Sequence, residues 1–185
     1  MNIRISITAM LISFLAASNA SANELSDISN YREYSATFSS SGQPTKDQLK
    51  LLKDDGFERI VYIAFTNNGN AFADEDIVVK ELGMDYLHIP VMWGHPTNSD
   101  FYTFAGAMSL TPERKTLLHC QVNYRASAFS FLYRVLYEDV PVAVAKADMN
   151  SVWQPNETWQ KLIFEILEEN GESPHCDGCI WETDD

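Results

Sequence analysis

The chain has 185 residues, of which 45% are hydrophobic, and its 13 Lys and Arg face 26 Asp and Glu for a formal net charge of −13. So acidic a surface repels a phosphodiester backbone, which excludes nucleic acid as a partner. The length fits one domain with a sizeable core once the first residues are set aside as a leader.

Residues 1–22 carry Arg4 at the positive end, an apolar run over 5–15, and the small-residue site Ala20-Ser21-Ala22. This is the pattern of a secretory signal peptide, and its apolar run falls short of the ~20 residues a membrane span needs. The expectation is an exported, periplasmic protein with no membrane span after signal cleavage. Without Arg4, 12 basic side chains face 26 acidic ones, a mature net charge of −14. One folded domain is expected over 23–170, followed by an acidic tail over 171–185 that contains Cys176-Asp177-Gly178-Cys179.

In chain order, residues 35–40 read as a first edge strand, and Ser41-Gly42-Gln43-Pro44-Thr45 as a turn whose threonine caps a helix over 46–52. Gly56 ends that helix. The β-branched and aromatic run 59–65 is a strand followed by the polar loop 66–70, and 74–82 is a helix stopped by Gly83. Residues 85–89 form the next strand, closed by Pro90, and 91–98 a long loop. Ser99 caps a helix through Met108, and 115–119 is the strand before Cys120. Segments 128–137, 142–149 and 157–169 carry apolar residues at helical intervals, with Pro141 and Pro155 as punctuation. Alternation of strands and helices predicts an α/β fold with a mostly parallel central sheet and helices on both faces. Trp153, Trp159 and Phe164 read as the apolar face of a packed helix pair.

The most informative segment is His119-Cys120-Gln121-Val122-Asn123-Tyr124-Arg125-Ala126-Ser127, which reads as strand, tight loop and helix. A cysteine there lies among N–H groups at a helix N-terminus, a field that favours an anion and a thiolate, and Arg125 offers a planar fork for an oxyanion. The alternative is a buried core cysteine followed by a surface arginine. Asn123 is among the non-glycine residues that best tolerate a left-handed backbone. Three cysteines in an exported chain leave one unpaired, and the simplest assignment makes it Cys120. Cys176 and Cys179 then form a local staple, although exposed thiols, a redox pair or half a metal site fit the same spacing. Ligands of such a sheet bind beyond the carboxyl ends of its strands, where loops 66–70, 91–100 and 120–126 converge. That makes His95 and Asp100 the candidate proton donors, each with a plain structural alternative.

The Cys120 loop and the helix behind it, the turn 41–45 with its helix, the strand 60–65 and Tyr86-Leu87-His88-Ile89-Pro90-Val91 resemble the dual-specificity-phosphatase-like domains of the β-lactamase-hydrolase-like phosphatase family, the DUF442 type. The resemblance covers about residues 31–170 and implies a cysteine-phosphatase-like α/β fold without cofactor or metal. It implies Cys120 as nucleophile, Arg125 as phosphate ligand and Ser127 as the hydroxyl that assists breakdown of a phosphocysteine. Gln121, Val122, Asn123, Tyr124, Arg125 and Ala126 would form the phosphate-binding loop. The family's usual loop has five residues between cysteine and arginine, whereas this one has four and lacks glycines. The acidic donor that relatives carry after a segment like Ile89-Pro90-Val91 is replaced by Met92-Trp93-Gly94-His95. A Cys-x4-Arg loop is similar to that of rhodanese-type sulfurtransferases, which accept a sulfur as a persulfide. The expected partner is therefore a small phosphorylated or sulfur-containing substrate. Three functions follow: a cysteine-dependent phosphatase, a sulfurtransferase acting through a Cys120 persulfide, or an inactive anion-binding module.

Overall fold

The computed structural model describes residues 25–181. The expected signal peptide and the last four residues of the acidic tail lie outside the described residues. Five strands form one sheet: β1 (Arg32–Ser35), β2 (Phe38–Ser41), β3 (Arg59–Tyr62), β4 (Asp85–His88) and β5 (Thr116–His119), in the order β1-β2-β5-β3-β4. Six helices connect and cover them: α1 (Lys46–Asp54), α2 (Glu75–Glu81), α3 (Asn98–Leu110), α4 (Tyr124–Tyr137), α5 (Val142–Asn150) and α6 (Glu157–Glu169). Strands β2, β5, β3 and β4 run parallel, and β1 is the antiparallel edge. Among the described residues no helix is long and apolar enough to cross a membrane.

The mostly parallel sheet covered on both faces is the architecture the alternating pattern predicts. Neighbouring residues on a strand point to opposite faces. Ile60 and Leu117 therefore pack with Leu49 and Leu52 of α1 and Val79 of α2, whereas Val61 and Leu118 pack with Phe101 and Phe104 of α3, Phe129 of α4 and Trp159 of α6. Both sets are buried, and each such side chain contributes on the order of 1.5–3 kcal/mol relative to exposure. Arg59, also buried, spans from β3 to the end of α3, donating to Thr116 Oγ1 (2.9 Å) and to the carbonyl of Ala107 (2.7 Å).

Local chemistry moved several boundaries from where periodicity put them. The single edge strand over 35–40 is a hairpin, because Ser35 pairs with Phe38 across a two-residue turn and reverses the chain. Helix α3 starts one residue before Ser99. Thr97 is its cap, with Thr97 Oγ1 accepting from the Asp100 N–H and the Asp100 carboxylate accepting from the Thr97 N–H (2.9 Å). Helix α4 begins at Tyr124, four residues before the expected 128, because Asn123 takes a left-handed conformation (φ 73°) that turns the chain directly into the helix. Trp153 follows α5 in a loop and is not on a helix face.

The loop after β5 is braced from β2 and the segment before β1. Gly42 forms a bridge with Val122, the Gln43 N–H donates to the Gln121 carbonyl (3.1 Å), and Asn30 exchanges bonds with Val122 and Asn123. A Cβ on Gly42 would lie 3.0 Å from the Gln121 carbonyl oxygen and 3.0 Å from Ser29 Cβ. One of those contacts is backbone, so it does not yield as a flexible side chain would. Gly42→Ala should therefore cost about 1–3 kcal/mol, measured as a lowered midpoint in urea unfolding, by forcing the loop outward.

Candidate active site

Cys120 ends β5 at the centre of the sheet, fully buried and not in a disulfide. Only Gln121, Val122 and Asn123 separate it from α4, so the first N–H groups of that helix surround the loop with unsatisfied donors and a positive dipole end. The turn is made by Asn123, whose Nδ2 donates to the Asn30 carbonyl (2.6 Å), while Asn30 Nδ2 donates to that of Val122 (3.0 Å). An L-residue accepts φ 73° at a cost that asparagine bears better than most, and here its side chain bonds to the distant Asn30 and not to its own turn. Tyr124 and Ala126, read in sequence as loop members, lie in the first turn of α4.

Arg125 is also in that first turn and 8% exposed. Its Nε donates to the Val91 carbonyl (3.1 Å) and its Nη1 to Gln121 Oε1 (3.3 Å), and its guanidinium lies 5.1 Å from the centre of the Trp93 ring. The guanidinium is thus clamped between the loop after β4 and the cysteine loop. The polar loop after β3 arrives as well, since Asn70 Nδ2 donates to the Gln121 carbonyl (3.2 Å). The three loops expected to converge do so on Gln121 and Arg125. Ser127, one turn along α4, donates its hydroxyl to the Tyr124 carbonyl (3.0 Å) and accepts from Trp153 Nε1 (3.1 Å).

Among the described residues neither candidate proton donor has a hydrogen bond to the cysteine loop or to Arg125. The Asp100 carboxylate is occupied by the Thr97 N–H in the cap of α3. His95 lines a groove with Thr97, Thr158, Lys161 and Glu165, on the side of α6. The sequence places no carboxyl between Val91 and Thr97.

Two features have no counterpart in the sequence reading. One is an aromatic wall. Trp93 lies within 5.3 Å of Trp153 and 5.4 Å of Trp159, and Tyr124 stacks on Trp153 at 4.9 Å with planes 5° apart. Trp159 Nε1 donates to the Trp93 carbonyl (3.1 Å), so a buried tryptophan on α6 fixes the loop that holds Arg125. The other is a buried polar group behind the cysteine. His119 is fully buried and stacked on Tyr62 at 4.7 Å, with its Nε2 3.2 Å from Glu75 Oε1 and no aligned hydrogen bond to either ring nitrogen. Glu75 accepts from Gln43 Nε2 (2.7 Å) and from the Tyr86 hydroxyl (3.3 Å). Burial pushes the Glu75 carboxyl up to about 7, and burial pushes the His119 imidazole down to about 3, so at mildly acid pH both are neutral. The strand pattern marks 119 as an interior position, but no spacing links it to residue 75.

Cys176 and Cys179 are bonded to each other, which leaves Cys120 as the free thiol among the chain's three cysteines. The bridged segment lies against α5 and α6, with Lys146 donating to the Ile180 carbonyl and Trp181 edge-on to Phe164. Among the described residues no group of three His, Cys, Asp or Glu side chains is placed to hold a metal ion.

No protein-family model and no curated protein matches the chain. Among solved structures, the protein named "Putative phosphatase (DUF442)" from Shewanella putrefaciens is 32% identical, covers 80% of this chain and 97% of its own, and superposes with a TM-score of 0.73. TpbA of P. aeruginosa (16% identical, covering 73% of this chain and 83% of its own, TM-score 0.59) and the catalytic domain of the PP-IP phosphatase SIW14 of S. cerevisiae (14%, 74% and 84%, TM-score 0.59) share the fold. A cysteine directly after the central strand, an arginine in the first turn of the next helix and one-third identity to a relative matched over nearly its whole length lead to one assignment: the chain belongs to the DUF442 phosphatase family.

Proposed function

We propose that the protein is an exported cysteine-dependent phosphatase that hydrolyses phosphomonoesters through a phosphocysteine. The observation that carries this reading is the placement of Cys120 three residues before α4 and of Arg125 in the first turn of that helix, within a DUF442 chain. The Cys120 thiolate attacks phosphorus, forming the S–P bond as the ester P–O bond breaks, and the leaving oxygen takes a proton. Water then attacks the phosphocysteine and returns the thiolate. The amides of residues 121–126 and the Arg125 guanidinium face the charge that spreads over the phosphoryl oxygens. Arg125 has its Nε on Val91 and its Nη1 on Gln121, so an incoming phosphoryl group displaces Gln121 and finds the fork already oriented. Ser127, which now donates to Tyr124, assists the second step by turning its hydroxyl toward the intermediate.

With Asp100 in a helix cap and His95 against α6, the leaving oxygen takes its proton from solvent. That arrangement selects esters of acidic alcohols, since a positioned general acid contributes about 10²–10⁴-fold where the leaving group is poor. Persulfide transfer is the second reading, favoured by one observation, the presence of only three residues between Cys120 and α4. The smaller ring suits one sulfur, whereas a phosphoryl group needs three oxygens held together. The disulfide in the C-terminal segment supports export, because such bonds persist in oxidising compartments.

Hydrolysis of an aryl phosphate should disappear in Cys120→Ser and fall by about 10²–10³-fold in Arg125→Ala. Thiocyanate formation from thiosulfate and cyanide, without phosphate release from the ester, would replace this function with sulfur transfer. Neither product would leave an anion-binding module. Across a series of esters, kcat should drop about tenfold or more from nitrophenyl to alkyl leaving groups. Asp100→Ala should change kcat only a few-fold while lowering unfolding stability by about 1 kcal/mol, the value of a lost cap.

A further inference from the structure

A cavity of about 450 Å³ opens on the α2 and β4 side of the molecule, lined by Thr66, Phe72, Glu75, Asp76, Tyr86 and His88. Glu75 is 3% exposed, yet it belongs to this lining, so its carboxyl exchanges protons with solvent from the cavity side. From the other side it reaches the cysteine loop through two neighbours. Its Oε1 is 3.2 Å from His119, the residue immediately before Cys120. The same oxygen accepts from the side chain of Gln43, whose backbone N–H holds the carbonyl of Gln121, the residue immediately after Cys120. The two contacts bracket the nucleophile.

We propose that Glu75 is a positioning residue of the active site, one whose neutral carboxyl, packed beside His119 and accepting from Gln43, leaves both ends of the Cys120 loop in the geometry that supports a thiolate. When Glu75 ionises, a negative charge appears beside His119 and opposes both the thiolate and an arriving phosphate. The surroundings leave that charge uncompensated. Toward Glu75, α2 itself offers Asp76, β4 offers Tyr86 and His88, β5 offers His119 and β3 offers the Tyr62 phenol. Lys46 of α1 is paired with Asp74 at 2.5 Å. Tyr62, stacked between His119 and His88, feels the charges of Glu75, Cys120 and Arg125 together, so the carboxyl and the nucleophile share one local field. The burial that lifts the Glu75 carboxyl to about 7 sets where the effect falls. Activity should decline as the pH rises through that value.

The kinetic arm of the test rests on the phosphatase reading, whereas a second arm does not. The thiolate ultraviolet absorbance of the full chain, with Cys120→Ser subtracted, reports Cys120 alone because the other two cysteines are bonded. Glu75→Gln keeps the shape and the acceptor for Gln43 but never ionises. Its thiolate signal should appear about 0.5–1 pH unit lower than in the unsubstituted protein, and the decline of kcat/KM above about pH 7 should vanish. Tyr86→Phe removes a bond that favours the ionised carboxyl, so it should move that decline to higher pH, and it serves if Glu75→Gln fails to fold. Superimposable thiolate curves, or a kcat/KM lowered by one factor at every pH, would overturn the proposal and reduce Glu75 to a structural group. If no ester is hydrolysed, the thiolate shift still decides whether Glu75 acts on Cys120.

Discussion

Everything in the site depends on how abruptly the chain passes from β5 into α4. Three residues separate a fully buried strand end from the first turn of a helix, and the reversal is made by one asparagine in a left-handed conformation. A turn that short has no room for its own hydrogen bonds. Its carbonyls are therefore satisfied from outside, by Gln43 and Asn70 at Gln121 and by Asn30 at Val122. The N–H groups of the helix start have no partner within the helix, which is what an anion at this end would use. Strain and bracing are two aspects of the same few atoms.

The arginine shows how a shorter loop can be accommodated. With three residues between Cys120 and α4, Arg125 falls in the first turn of the helix, and its guanidinium is held at Val91 and over Trp93. The aromatic wall makes that placement firm. Trp159, buried on α6, fixes the Trp93 backbone, and Trp153 reaches across to stack on Tyr124. Segments from the far end of the sequence thus set the position of an arginine in its middle.

The fold class was legible because strands and helices differ in period, and the sheet separates two apolar faces that alternate along β3 and β5. Cys120, Arg125 and the left-handed Asn123 were legible because a cysteine, a turn-tolerant residue and an arginine fall between an apolar run and a helical one. The start of α4 was misread since Tyr124 and Arg125 look like loop residues until the asparagine before them is known to turn the chain. Asp100 looked like a donor for the opposite reason. Acidic residues in a first helical turn serve catalysis and capping alike, and the structure shows the capping bond to Thr97 that the sequence alone did not reveal. Glu75 and His119 were invisible as a pair because their proximity is a product of strand order: β5 lies two strands from β4, and α2 returns the chain to that edge.

The two bonded cysteines bear on how the chain matures. Three positions apart, Cys176 and Cys179 meet at a far higher effective concentration than either meets Cys120, so the local pair closes first under oxidising conditions. Once closed, it offers no thiol to a nascent chain. Cys120 then has no second free thiol in the chain to pair with by oxidation, and its burial after β5 keeps it from attacking the closed staple.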